Sequence, residues 1–226
     1  LQRAHRQFLR NHGMNADLST MSRPVTVPAS PPRAVARDAR VRVLQMGPAL
    51  DVRGGISTVE QLICDYLPPY ASIRQIDTYV EGSWFKRCIK FGRAVHALSR
   101  ALESLEPTVV HIHFSSRGSA LRKLMLAQQA MNARCPLILH AHGGRFDTFH
   151  HNLPPVLRRM VNRTMQQANL IITLSSQWRD FYIRECELSP SQVIVLPNPV
   201  RVPARVVDRT GRNEVRFVHL GKLGPN

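Results

Sequence analysis

No apolar run in this sequence approaches the roughly 20 residues that span a bilayer. Leu170 to Leu174 is among the longest, and no transmembrane helix is expected. Cysteine is sparse. Cys64, Cys88, Cys135 and Cys186 are widely spaced with no C-x-x-C pair, which argues against a zinc site or a redox motif and fits free thiols in a reducing cytosol. The chain starts at Leu1 with no apolar segment and cleavage site behind it, so no secretory signal is expected. Aromatic residues make up only 6% and no reader motif is present, which argues against a nucleic-acid partner. Acidic residues are scarce too: 15 face 31 basic ones, for a formal net charge of +16. Lysine supplies only Lys86, Lys90, Lys123 and Lys222 of those bases, and the rest are arginine. Such a charge attracts phosphate-bearing partners of any kind, and by itself does not choose among them.

What is present is an ordered alternation. Residues 1–39 are Arg- and Pro-bearing without sustained periodicity and are expected to form a disordered basic arm, with Met14 and Met21 as candidate start sites. From Arg40 onward, short Val-, Ile- and Leu-rich runs alternate with amphipathic stretches, as in βα units around a parallel sheet. Strands are expected at Val41 to Met46, Ile73 to Tyr79, Val109 to His113, Leu137 to His142, Leu170 to Leu174 and Val193 to Leu196. Helices are expected at Ile56 to Leu67, Trp84 to Leu105, Ser119 to Ala133, Pro154 to Ala168 and Ser176 to Glu185. The third of these keeps Leu121, Leu124, Met125 and Gln128 at i, i+3, i+4 and i+7, three of the four apolar. The fold class is therefore α/β, a doubly wound parallel sheet. Residues 201–213 read as an interdomain linker, and a further strand, Val215 to Leu220, opens a second domain within residues 214–226 that is expected to be cut short.

In such sheets ligands collect beyond the carboxyl ends of the strands. Three turns there carry chemistry. After the first strand come Gly54 and Gly55, directly before a helix, which is either a phosphate-approaching loop or simply a flexible one. The spacing is neither G-x-G-x-x-G nor a Walker A loop. His111 and His113 lie on one face of the third strand, with no third ligand at a sensible spacing, so no metal is expected. The cluster His140-Ala141-His142-Gly143-Gly144-Arg145-Phe146-Asp147 offers an imidazole, a cation and an acceptor beside glycines, a mixture suited to a sugar hydroxyl. Taken alone, a structural histidine beside a tight turn explains it about as well.

The ordered set is more specific than any member. Gly54-Gly55, Val109-Val110-His111-Ile112-His113, His140-Ala141-His142-Gly143-Gly144, Leu196-Pro197-Asn198-Pro199-Val200 and Phe217-Val218-His219-Leu220-Gly221-Lys222-Leu223 together resemble family-4 retaining glycosyltransferases over residues 41–226. The resemblance implies a Rossmann-like acceptor-side domain over residues 40–200, the N-terminal half of a GT-B architecture. It implies transfer of a sugar from a nucleotide-diphosphate sugar to a glycan or lipid-linked acceptor with retention, and neither a metal nor another cofactor. Catalysis would fall to His142, substrate binding to Gly54, Gly55, His113, Gly143, Arg145 and Asp147, and the donor phosphates to Lys222. Lys222 replaces the family's usual arginine and loses its planar fork. The alternatives from other classes are a sugar-nucleotide epimerase of similar architecture and a non-catalytic sugar- or nucleotide-binding module. The segment from Trp84 to Arg93 mixes bulky apolar residues with four cations, as membrane-surface helices do, and suggests a cytoplasmic protein peripheral to the inner membrane face.

Overall fold

The computed structural model describes residues 41–103, 108–116 and 118–201. The basic arm, the strand at Val215 to Leu220 and Lys222 lie outside the described residues, as does the linker beyond Arg201. All described residues belong to one of the chain's two units, Arg40–Asn226.

The elements follow in strict alternation: β1 (Val41–Pro48), α1 (Gly55–Asp65), β2 (Ala71–Tyr79), α2 (Trp84–Leu102), β3 (Thr108–Phe114), α3 (Gly118–Asn132) and β4 (Leu137–Ala141). Then come α4 (Phe146–His151), α5 (Pro155–Gln166), β5 (Leu170–Thr173), α6 (Ser176–Glu185) and β6 (Val193–Val195). The six strands pair in parallel in the order β2-β1-β3-β4-β5-β6. Each parallel connection needs a crossover, and the helices supply it. Because crossovers are right-handed, the one leftward step, β1 to β2, puts α1 on one sheet face, and the rightward steps put the remaining helices on the other. Strand order reverses between β1 and β3, which is the topological switch point where this architecture opens a crevice.

The main core lies under the rightward helices. Val110, Ile112 and Phe114 of β3 and Leu137, Leu139 and Ala141 of β4 pack with Leu126, Ala127, Ala130, Val161 and Met165. The helix starts have local causes. The Ser83 hydroxyl accepts from the Lys86 N–H at 3.4 Å to open α2, the Ser175 hydroxyl does the same for Trp178 in α6, and Pro155 occupies the first turn of α5.

The helical spacing in α3 marks the helix but not its buried face: Leu124 of that stripe packs against the core, whereas Leu121 and Met125 are 38% and 63% exposed. The buried positions are Ala120, Lys123, Leu126, Ala127 and Ala130. Small alanines let the helix lie close to the sheet, and the bulkier side chains are pushed outward. The short helix α4 was not anticipated either, because six residues are too few to display a helical period.

Candidate active site

The crevice at the switch point holds a cavity of about 340 Å³. It is lined by Gly54, Gly55 and Ser57 at the start of α1, His113 and Ser115 at the end of β3, and Arg122 and Lys123 on α3, with Pro48 of β1 and Thr78 of β2 closing the remaining side. At Gly54 and Gly55 a side chain would meet nothing within 4 Å, so neighbouring protein does not explain their smallness. They leave backbone open toward the cavity. Helix α1 has no side-chain cap and no acid in its first turn, so no side chain of its own occupies its positive end.

Beside this cavity stands a cluster of histidines. Alternation along β3 places His111 and His113 on one face, and the β3–β4 register sets His140 opposite His113. His142 lies just past β4, where its N–H donates to the Phe114 carbonyl at 2.8 Å and carries the pairing beyond the strand. Its Nε2 then faces His113 Nδ1 at 2.9 Å, a distance that requires one proton shared between two nitrogens. His113 and His140 are each 1% exposed, His111 is 7% exposed, and His111 Nε2, His113 Nε2 and both ring nitrogens of His140 have no partner.

Burial dominates the protonation of the cluster. It pushes His111 down to about 4 and His140 to about 2, with His142 adding repulsion to both. Burial also lowers His142 to about 4, partly opposed by a hydrogen-bonding contact with Asn198, and holds His113 well below the ordinary range. All four are therefore neutral imidazoles near pH 7.

The chain spacing gave no third ligand beside His111 and His113, but the register supplies one. Nitrogens of His111, His113 and His140 lie within 4.8 Å of one another, and among the described residues this is the group able to hold a metal ion. Two of the three rings, however, lie face to face. Those of His111 and His140 are within 5° of parallel, and those of His113 and His140 are 35° apart. Ring lone pairs lie in the ring plane, so stacked imidazoles do not aim at a common point without turning.

Of the residues singled out in the sequence, Gly54, Gly55 and His113 share the cavity, and His142 joins them through its bond to His113. Gly143 and Arg145 on the neighbouring loop and Asp147 in α4 lie outside the cavity walls. Gly143 has a packing reason. A Cβ there would stand 3.1 Å from the Ser116 nitrogen and 3.2 Å from Ser115 backbone, so the loops after β3 and β4 approach too closely for a side chain. Arg145 is exposed at the start of α4, and Asp147 lies in that helix's first turn.

Sequence reasoning missed the buried polar group behind the cavity. Lys123 donates to the Met46 carbonyl at 3.1 Å and to the Thr78 hydroxyl. Glu60, on α1 and fully buried, accepts from Gln75, which in turn accepts from Gln45 at 2.9 Å. Burial raises Glu60 and lowers Lys123, and the attraction between them opposes both shifts. The signal was available. Lys123 sits between Ala120 and Ala127 on the apolar stripe of its helix, where an unpaired cation would be costly.

The family model described as Glycosyltransferase Family 4 matches residues 33–202 of this chain. No curated protein matches it.

Proposed function

Because this chain belongs to glycosyltransferase family 4, we propose that it supplies the acceptor-side wall of an enzyme that moves a sugar from a nucleotide-diphosphate sugar to a glycan or lipid-linked acceptor, with retention. The observation that carries this reading is the open crevice at the switch point with the His113–His142 pair at its edge. In it, His142 reaches the transferred sugar as a neutral imidazole whose orientation is fixed by His113. Gly54 and Gly55 let backbone N–H groups approach the reacting phosphates, and Lys222 meets the donor pyrophosphate. The rate then rests on holding donor and acceptor together and on cations facing the departing diphosphate, with no cofactor needed.

The test is nucleoside diphosphate release from a panel of nucleotide sugars by the native polypeptide, with product anomeric configuration read by proton NMR. His142→Ala is expected to lower turnover by about 10²-fold while leaving the circular dichroism unchanged. Equal turnover in wild type and variant, or inversion in the product, would count against this assignment.

A lipid-linked acceptor is favoured by α2. Trp84 and Phe85 are 77% and 65% exposed at its first turn, next to the exposed Lys86 and Arg87. Lys90 is not free for this role, since it pairs with Asp77 at 2.7 Å. No helix among the described residues is long and apolar enough to cross a membrane; the exposed aromatic and basic pairs support peripheral association, read here on the cytoplasmic leaflet. Replacing Trp84 and Phe85 together by Ser is expected to lower partitioning onto anionic vesicles by about tenfold or more in a flotation assay. If the wild-type chain stays with the soluble fraction, the membrane reading fails.

A further inference from the structure

We propose that the acceptor carries a phosphate-like anionic group close to the accepting hydroxyl, and that the cavity between α1 and α3 seats it. The inference rests on the transferase reading for the word acceptor, but the anion site itself rests on the cavity. Arg122 and Lys123 both line it; Lys123 has Glu60 behind the wall, and among the described lining residues there is no carboxylate to neutralise Arg122. The nearby acids are engaged elsewhere: Glu60 is buried against Lys123 and Gln75, and Asp77 pairs with Lys90.

Two buried polar groups point the same way. The Ser57 hydroxyl, on a residue 4% exposed, has no partner, nor has His113 Nε2, on a residue 1% exposed, and both residues line the cavity. Buried polar atoms are normally satisfied, so two orphans on residues lining one cavity indicate a polar occupant. The uncapped first turn of α1, eleven residues long, adds backbone N–H groups from the same side. Cations, donors and a positive helix end converge on a space large enough for a phosphorylated sugar or a headgroup. A neutral sugar alone would leave Arg122 without a counter-charge, whereas Lys123 already has Glu60 behind it.

The experiment is a titration of the 226-residue chain with inorganic phosphate at low salt, followed by ³¹P NMR line broadening. Saturable one-site binding is expected, weakened at least about tenfold in Arg122→Gln and unaffected in Arg100→Gln, which removes an exposed cation at the far end of α2. Absence of saturation, or equal losses in the two variants, means diffuse attraction to a basic protein and overturns the proposal. Competition by soluble glycerol phosphate assigns a soluble phosphorylated acceptor, whereas Arg122-dependent retention on phosphatidate vesicles assigns a lipid headgroup. Stoichiometric displacement by UDP would give the cavity to the donor and refute the acceptor assignment. Arg122-dependent phosphate binding in a native polypeptide that transfers no sugar would sink the transferase reading alone.

Discussion

On acidification from pH 7.5 to pH 5 the domain is expected to lose several kcal/mol of stability, a substantial part of the ~5–15 kcal/mol typical of a folded domain. The cause is the histidine cluster. An unfolded histidine takes a proton near pH 6.5, whereas burial holds His111 at about 4 and His140 at about 2 in the folded state. Between those values the unfolded chain binds protons that the native fold refuses. The stability these residues contribute is thus complete above pH 6.5 and is lost as the pH falls toward 4. At pH 5 each of these two costs about 2 kcal/mol, and His113 and His142 act in the same direction. Glu60 pulls the other way. Its raised folded pKa means that protonation favours the native state on acidification, which offsets about 3 kcal/mol, roughly one and a half histidines' share. Urea midpoints at the two pH values measure the difference. His140→Gln removes one buried imidazole and should flatten the pH dependence by roughly 2 kcal/mol; a variant as acid-sensitive as the wild type would show that the cluster is not the cause.

Gly47→Ala is expected to destabilise by roughly 3–5 kcal/mol, a large effect for one methyl group. Gly47 lies at the end of β1, and a Cβ there would overlap the Glu60 carboxyl group. The Glu60 side chain has nowhere simple to go. It is fully buried, receives Gln75 Nε2 at 3.3 Å, and stands near Lys123. Displacing it leaves the lysine ammonium facing Met46 and Thr78 without its acid, and burying an unbalanced charge is the costly part. The effect reaches the cavity, because Lys123 and Thr78 both line it. A double-mutant cycle with Glu60→Ala isolates the cause. Removing the carboxyl group makes room for the methyl, so the pair should fall short of additivity by at least about 1 kcal/mol. Strict additivity would place the damage elsewhere, in the strand itself.

Much of this architecture is legible along the chain because its elements report locally. Val109 to His113 and Leu170 to Leu174 announce strands by composition, and the observed β3 and β5 agree with them to within one residue at either end. The helix from Ser176 to Glu185 has the expected bounds, with Ser175 as its cap. Gly54, Gly55, His113 and His142 were picked out because they sit at or after the ends of strands, a position fixed by order alone. Which face of α3 is inside was not legible. The Leu121 and Met125 stripe is the more apolar, but close packing on the sheet selected the alanine side.

The sequence by itself determined the alternation of strands and helices, the turns where chemistry collects, and, through their ordered motifs, the family. Tertiary structure alone decided that His140 stands opposite His113 and that Glu60 answers Lys123. It also turned Ser57, Arg122 and Lys123 toward the same cavity. The reason is the parallel sheet. Neighbouring strands are joined through a helix, so residues that touch across the register lie tens of positions apart and share no local pattern. The spacing of histidines along one strand says nothing of the strand beside it.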